Sequence, residues 1–600
     1  MKDPLRELSG DALNEFRRLR RLLFELRLWS WLRPSDRQAL LWWALAAGLL
    51  GAAGTVVFRL AGLGFQWLLT GLNGDDVAVF FAMPPWRRFV TPAIGGLVAG
   101  LVLLLGRRLG TQKATDYMEA IAVGDGHVPV RPSLVRSAAA LFSISSGEAI
   151  GREGPLVQLA AVAASLLGGF RRMAPARLRL LVACGAAAGI AAAYNTPLGG
   201  ALFVAEIVLG SIAMETLGPL LISSVVAVLI NRTMFGDDPL YAVTAVSRPT
   251  FGAMPFYIVL GVLCGLGANA WMRLLKGATR AFEATHLPLV LRLTLGGVIV
   301  GALAVWWPQA AGNGMPLIRS LLNTGNFAVL MLLTIATVKV VATCAAFGSG
   351  AVGGVFTPTL FAGATTGVLL AVGAGLVPGL PALDPTSFAL AGMGGFLAAA
   401  ANAPITAILM IFEMSLSHHI VLPLMVTTVV ALFMARRLGG ESIYRESLQS
   451  AGPSLFDRDL KKLAVSDLMR REFLQVRPAT RFSELAAQLL KSRRAQVWIT
   501  AEDGSDLRGM VHLNDVEPYL KDPDVAETVL AIDVAHEDLP TLAVNTSLPQ
   551  ALETFAQNER DALPVVAETD GKRRLVGVLD REDLYLAVSE VTRRSRARPV

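Results

Sequence analysis

The sequence is poor in charge, cysteine and histidine. Asp, Glu, Lys and Arg make up 17% of 600 residues, where a soluble protein carries about a quarter. So low a charged fraction, with a mean hydropathy of +0.53, excludes an ordinary soluble protein of this length. The three cysteines, Cys184, Cys264 and Cys344, stand alone in apolar sequence. They lack metal-ligand spacing and read as buried structural thiols. The six histidines form no His-Glu-x-x-His run, and no Walker A or Gly-x-Ser-x-Gly run occurs. Enzyme chemistry therefore has no residues to rest on. Outside the apolar region no basic stretch carries interleaved aromatics, so the net charge of +7 does not point to nucleic acid.

What is present is a membrane body between two charged ends. Apolar sequence runs from Ala39 to about Ala435. The first 38 residues are basic and helix-prone, and read as a cytoplasmic helix near the lipid surface rather than a secretory signal. The clusters Arg17–Arg21, Arg171-Arg172 and Arg436-Arg437 are expected on the cytoplasmic side by the positive-inside bias. Long uninterrupted apolar runs are scarce. Many fall short of the ~20 residues of a simple span and are broken by Gly or Pro, as in Leu156–Phe170, Leu180–Tyr194 and Leu360–Val377. Broken helices at membrane depth line cavities.

The most informative break is Gly151-Arg152-Glu153-Gly154-Pro155. A charged side chain at membrane depth is costly and marks an ion path or proton relay. Glycines let backbone amides face a ligand, and a proline suits the first turn of a helix. A helix N-terminus attracts anions, so the motif points to an anion pathway with an acid in it. An internal repeat frames this break. The 23 residues from Gly185 to Ile207 align without gaps on Gly392–Met414, at an offset of 207, with eight identities that include Asn195/Asn402, Pro197/Pro404 and Glu206/Glu413. Ser146–Pro155 aligns on Ser349–Pro358 at an offset of 203. Two halves, each with a Gly-rich break leading into a helix, are the signature of a transporter with its site at the midplane. Gly348-Ser-Gly350-Ala-Val-Gly353 satisfies a dinucleotide-binding pattern. Its membrane flanks, with no soluble strand before it, reject that reading.

Gly151-Arg-Glu-Gly-Pro155, Gly353-Gly-Val-Phe-Thr-Pro358 and the late tyrosine of Ser442-Ile-Tyr444, in this order on a two-fold repeat, resemble the CLC family of chloride channels and proton/chloride antiporters. Thr115-Asp-Tyr-Met-Glu-Ala120 is similar to its bacterial ClcB-like branch. The resemblance covers about residues 40–447. It implies an all-α polytopic fold with an inverted repeat, a homodimer, and one anion pathway per subunit. It makes Glu153 the gating glutamate, which competes with an anion and leaves when protonated. The amides of Val355 and Phe356 and the Tyr444 hydroxyl would hold the central anion, with Gly154 and Arg152 contributing near the outer mouth. Two departures qualify this. Gln112 falls where the family has an anion-contacting serine, and Lys113 adds a charge beside it, which leaves anion selectivity open. Many antiporters of the family carry an internal glutamate after the repeat glutamate, but here the pair reads Glu206-Ile207. Glu206 is then the remaining candidate for a proton path, set against a bland reading of Glu206 and Glu413 as buried groups satisfied by helix ends.

Past Tyr444 the composition turns charged, with strand–helix alternation. Residues 448–463 read as a linker. Two similar units follow, 464–523 and 531–590, each ending as an apolar strand and an x-x-x-Asp turn into a helix. They resemble a tandem pair of CBS domains. In that family Asp at the positions of Asp515 and Asp583 binds the ribose of an adenine nucleotide, helped by a hydroxyl three residues earlier. Here His512 and Asp580 stand there, so a structural or dimerising module competes with a nucleotide sensor.

The expectation is therefore a cytoplasmic basic helix (1–38), a membrane domain (39–447, repeats about 39–235 and 250–447) and a small α/β cytoplasmic CBS pair. The function implied is chloride transport through a glutamate-gated pore, as a voltage-gated channel of the bacterial inner membrane. A proton-coupled antiporter and a membrane-anchored nucleotide sensor are the alternatives. No enzyme activity, metal or cofactor is implied beyond a candidate adenine nucleotide; the partners are small anions, protons for an antiporter, and the bilayer.

Overall fold

The computed structural model describes residues 36–108, 116–122, 124–243, 249–324, 328–440, 442–444, 463–492, 495–516, 528–558, 560–569 and 571–587. The expected N-terminal helix, the 448–462 part of the linker, Gln112 and Lys113 lie outside them. The chain divides into two compact units, Met1–Ser450 and Ala451–Val600.

The first unit is helical, and its helices follow the repeat. In the first half come α1 (Asp36–Thr70), α2 (Asp76–Ala82), α3 (Pro85–Arg108), α4 (Tyr117–Ala122), α5 (Val130–Ser145), α6 (Glu153–Phe170), α7 (Pro175–Tyr194), α8 (Pro197–Phe203) and α9 (Met214–Phe235). In the second come α10 (Met254–Ala284), α11 (Leu289–Trp306), α12 (Met315–Thr324), α13 (Val329–Ser349), α14 (Phe356–Gly375), α15 (Pro385–Ala401), α16 (Pro404–Ser415) and α17 (Val421–Arg437). Among the described residues ten helices are long and apolar enough to cross a membrane, while α8, α15 and α16 are shorter.

The buried centre is built from the two repeat helices α7 and α15. From Thr386 to Ala401 every residue of α15 is buried. Small residues make this density attainable. A Cβ on Gly363 would lie 2.4 Å from the Gly392 carbonyl, and one on Gly297 2.2 Å from the Pro92 carbonyl, so α14 packs on α15, and α11 on α3, with backbones nearly touching. The Asn-x-Pro signal has a geometric cause. Asn195 and Asn402 both take the left-handed conformation, each at φ 59°, ending α7 and α15. Pro197 and Pro404 then open α8 and α16, where a missing N–H costs nothing.

The second unit holds two three-stranded sheets, β1 (Gln475–Val476), β2 (Gln496–Thr500) and β3 (Leu507–His512), then β4 (Leu542–Ala543), β5 (Ala562–Thr569) and β6 (Lys572–Asp580). In each the first pair is parallel and the second antiparallel. The two sequence repeats exchange their leading segments. Val465 packs with Leu542, Leu548 and Leu563 of the second repeat. Ala531 packs with Val476 and Phe482 of the first, and its N–H donates to the Thr480 carbonyl at 2.8 Å.

Candidate anion pathway

The site is assembled where the two halves' Gly-rich breaks meet. Helix α5 runs out at Ser146-Gly147 and α13 at Ser349-Gly350, and both glycines have positive φ, 89° and 97°. The chain leaving each helix turns toward the other. Gly151 and Gly354 then form an antiparallel bridge, with N–H donating to carbonyl both ways at 2.6 and 2.8 Å. Just beyond the bridge start α6 at Glu153 and α14 at Phe356. Two helix N-termini, one from each half, thus converge on one spot, and each presents backbone N–H groups without intrahelical partners. Among the described residues the N–H groups of Val355 and Phe356 have no protein acceptor.

The Glu153 carboxylate occupies that spot. The side chain is buried, 7% exposed. Its Oε1 accepts from the Thr357 N–H at 3.2 Å, the Thr357 hydroxyl and the Tyr194 hydroxyl. Oε2 is buried without a protein partner. A Cβ on Gly151 would stand 1.9 Å from Oε2 and one on Gly354 2.7 Å, so these glycines leave the room the carboxylate fills. Arg152 forms no ion pair with Glu153. It is the half-buried N-cap residue of α6 and makes no side-chain capping hydrogen bond.

Tyr444 approaches from the other end. Residues 442–444 are fastened to the end of α15, Ile443 N–H to the Ala400 carbonyl and Ser442 Oγ to the Ala401 carbonyl, both at 2.9 Å. The Tyr444 ring lies 5.3 Å from Phe203, Phe203 6.3 Å from Phe356, and Phe356 4.8 Å from Tyr194. This aromatic row links Tyr444 to the Glu153 carboxylate through α8 and α14. Glu153, Gly154, Val355, Phe356 and Tyr444 are therefore brought to one locus.

Glu206 is placed differently. Its Oε1 accepts from Ile405 N–H at 3.2 Å and its Oε2 from Thr406 N–H and hydroxyl, both at 2.7 Å. It caps α16, a helix of the other half. Glu413 returns the contact, taking the N–H groups of Leu198 and Gly199 at 3.0 and 2.7 Å and so capping α8. The repeat glutamates are a reciprocal pair of caps across the pseudo-symmetry.

The sequence model of the family described as "Voltage gated chloride channel" matches residues 95–436, and that of the CBS domain matches 465–522 and 531–590. The chain is 48% identical over 414 residues to "Putative chloride channel protein ClcB-like" of Ralstonia nicotianae, covering 67% of this chain and 95% of that protein. The chain belongs to the voltage-gated chloride channel (CLC) family. Solved CLC structures share its fold. A slow cyanobacterial Cl-/H+ antiporter superposes with a TM-score of 0.61 at 27% identity, over 69% of this chain and 98% of that one. A eukaryotic CLC transporter superposes with a TM-score of 0.58 at 18% identity, over 91% and 97%. The ten apolar helices make this CLC protein a multi-pass membrane protein.

Within its CBS pair, both aspartates singled out from the sequence are already engaged. Asp515 Oδ2 accepts from the His512 N–H at 2.8 Å and lies 3.2 Å from His536 Nε2. Asp583 accepts from Arg470 Nε at 2.8 Å, and Asp580 lies 3.1 Å from the same guanidinium. The bond to Asp583, with the charge of Asp580, raises the Arg470 pKa further, so this cation stays charged. A cavity of about 740 Å³ opens here, lined by Arg470, Phe473, Trp498, Asp561, Arg581 and Tyr585 among others. Neither Asp515 nor Asp583 is among the residues that line it.

Sequence reasoning missed Tyr194, Thr357 and Phe203. A signal existed for the first: the repeat mate of Tyr194 is Ala401, an asymmetry inside an otherwise matched stretch. It also missed that α8 ends in a π-helical turn, Val204–Val208, around Glu206.

Proposed function

We propose that this CLC protein conducts chloride across the bacterial inner membrane, as a homodimer with one pathway per subunit, and that Glu153 gates it. The observation that carries the reading is the Glu153 carboxylate lodged at two converging helix N-termini. A carboxylate there stands where an anion would. Protonation removes its charge and a competing anion displaces it. Once it swings away, the Thr357 N–H and hydroxyl and the Tyr194 hydroxyl face the vacated position. The unpaired amides of Val355 and Phe356 hold an ion one step further in, and Tyr444 donates from the opposite end of the pathway, taken as cytoplasmic.

Passive conduction is favoured over tight proton coupling. Ile207 stands where many antiporters carry an acid, and Glu206 spends both oxygens on α16. The antiporter remains the second reading because the cyanobacterial neighbour is described as one. The deciding experiment is purified full-length protein in liposomes under a chloride gradient, with voltage clamped near zero and external pH recorded. Chloride flux without proton movement is expected. Uphill proton movement that vanishes in Glu153→Ala would establish the antiporter instead. The CBS pair is assigned a structural role, since neither aspartate is free.

A further inference from the structure

Helix α6 starts at the gate, and its far end meets the ends of four other helices. Val128 N–H donates to Ser165 Oγ at 2.9 Å, and that hydroxyl donates to the Gly126 carbonyl at 3.0 Å, which sets the start of α5 beside the end of α6. A Cβ on Gly126 would stand 2.8 Å from the Arg179 N, and one on Gly106 2.5 Å from Val135 Cγ1, so the start of α7 and the end of α3 close on the same place. The Arg171 guanidinium lies over the ring of Trp43, near the start of α1, at 5.4 Å. Onto this face come Arg107 and Arg108 at the end of α3, Arg171 and Arg172 just past α6, Arg131 in the first turn of α5 and Arg177 in the first turn of α7, all exposed.

Helix ends account for only part of this. Cations at the ends of α3 and α6 complement the helix dipole, but Arg131 and Arg177 sit at helix starts, where it disfavours them. Among the described residues no carboxylate lies within salt-bridge distance of Arg107, Arg108, Arg131, Arg171 or Arg172. Every cationic residue from Val130 to Leu180 is an arginine. Orientation in the bilayer needs only positive charge, which lysine would supply; a guanidinium adds a planar fork that grips phosphate oxygens in pairs. The repeat mate of this face is bare. From Gly373 to Phe388, across the end of α14 and the start of α15, the single charged residue is Asp384, and in an inverted repeat those residues lie at the opposite membrane surface. Apolar side chains border the arginines: Phe170 is 88% and Trp42 66% exposed. Aromatic rings at the ends of apolar helices belong to the zone between headgroups and acyl chains.

We propose that this face is a binding surface for anionic phospholipid, in which the six arginines hold headgroup phosphates while Phe170 and Trp42 lie against the acyl chains. A soluble phosphate would satisfy the guanidiniums and leave the aromatics uncovered, so the occupant is lipid. The inference does not depend on how Glu153 works.

The test is thermal unfolding of purified full-length protein in a neutral detergent, with phosphatidylglycerol, phosphatidylcholine or soluble glycerol phosphate added. The unfolding midpoint should rise with phosphatidylglycerol, and by clearly less with either of the others. In Arg107→Gln/Arg108→Gln/Arg171→Gln/Arg172→Gln the rise should fall to about half or less, because cations near an anionic surface contribute comparably to one another. In the unaltered protein, added salt should shrink the rise; this measurement stands even if the Gln variant does not fold. An equal rise with phosphatidylcholine, an undiminished rise in the Gln variant, or insensitivity to salt would overturn the proposal. An equal rise with glycerol phosphate would overturn the assignment to lipid.

Discussion

At the scale of single residues, the site turns on how tightly one carboxylate is held. Glu153 is bound through one oxygen by Thr357 and Tyr194. Hydrogen bonds to a charged group contribute about 1.5–3 kcal/mol each. Tyr194→Phe should therefore weaken the closed pose and raise chloride flux at neutral pH by about tenfold, read as initial flux in liposomes; unchanged or lower flux would show that Tyr194 does not hold the gate shut. Flux through the unaltered protein should rise as pH falls. The sign follows from the proposed gating: protonation neutralises the carboxylate and would free it from the position proposed for the anion. Glu153→Ala should be insensitive to pH over the same range. Glu153 was legible in the sequence because an acid between glycines in apolar surroundings has no ordinary structural use. Tyr194 and Thr357 were not, because an aromatic and a hydroxyl in a membrane helix have many uses, and only the approach of α7 to α14 selects this one.

At the scale of elements, the two halves are fastened to each other by their own termini. Glu206 caps α16 and Glu413 caps α8. Each carboxylate satisfies first-turn N–H groups that would otherwise be unpaired at membrane depth. Glu413→Ala should cost about 1–3 kcal/mol, measured as a lower unfolding midpoint of the purified protein. Glu413→Gln, which keeps one acceptor, should cost less. Glu206→Gln should leave any proton movement at its unaltered level, and loss of that movement would return Glu206 to a proton path. The repeat alignment located both glutamates, but no alignment says whether a helix caps itself or its mate. That depends on which N-terminus lies within reach of a side chain some 200 residues away in sequence.

At the scale of the whole molecule, the membrane unit and the CBS pair are separate compact bodies. The CBS pair closes on itself through the Arg470–Asp580–Asp583 triad and the exchange of leading segments around Val465 and Ala531. Adding AMP, ADP or ATP at millimolar concentration to the full-length protein should leave its thermal unfolding and chloride flux unchanged. A nucleotide-dependent rise in unfolding temperature would mean that the triad opens to admit a ligand. Arg470→Ala should destabilise the pair by no more than about 1 kcal/mol, because the ion pairs are half-exposed.

The sequence by itself determined what is local or periodic: the apolar body, the Gly-rich breaks, the αL asparagines followed by helix-starting prolines, the two-fold repeat and the two α/β units. Each follows from composition, from backbone preference or from self-similarity, none of which needs a distant partner. Only the tertiary structure decided what depends on residues far apart meeting in space. It paired Gly151 with Gly354, set Glu153 against Thr357 and Tyr194, turned the repeat glutamates into caps for each other's half, exchanged the CBS leading segments, and gathered the arginines at the ends of α3 and α6 on one face. A side chain's role in a membrane protein is set by what it faces when water is excluded, and facing is a property of the packed chain.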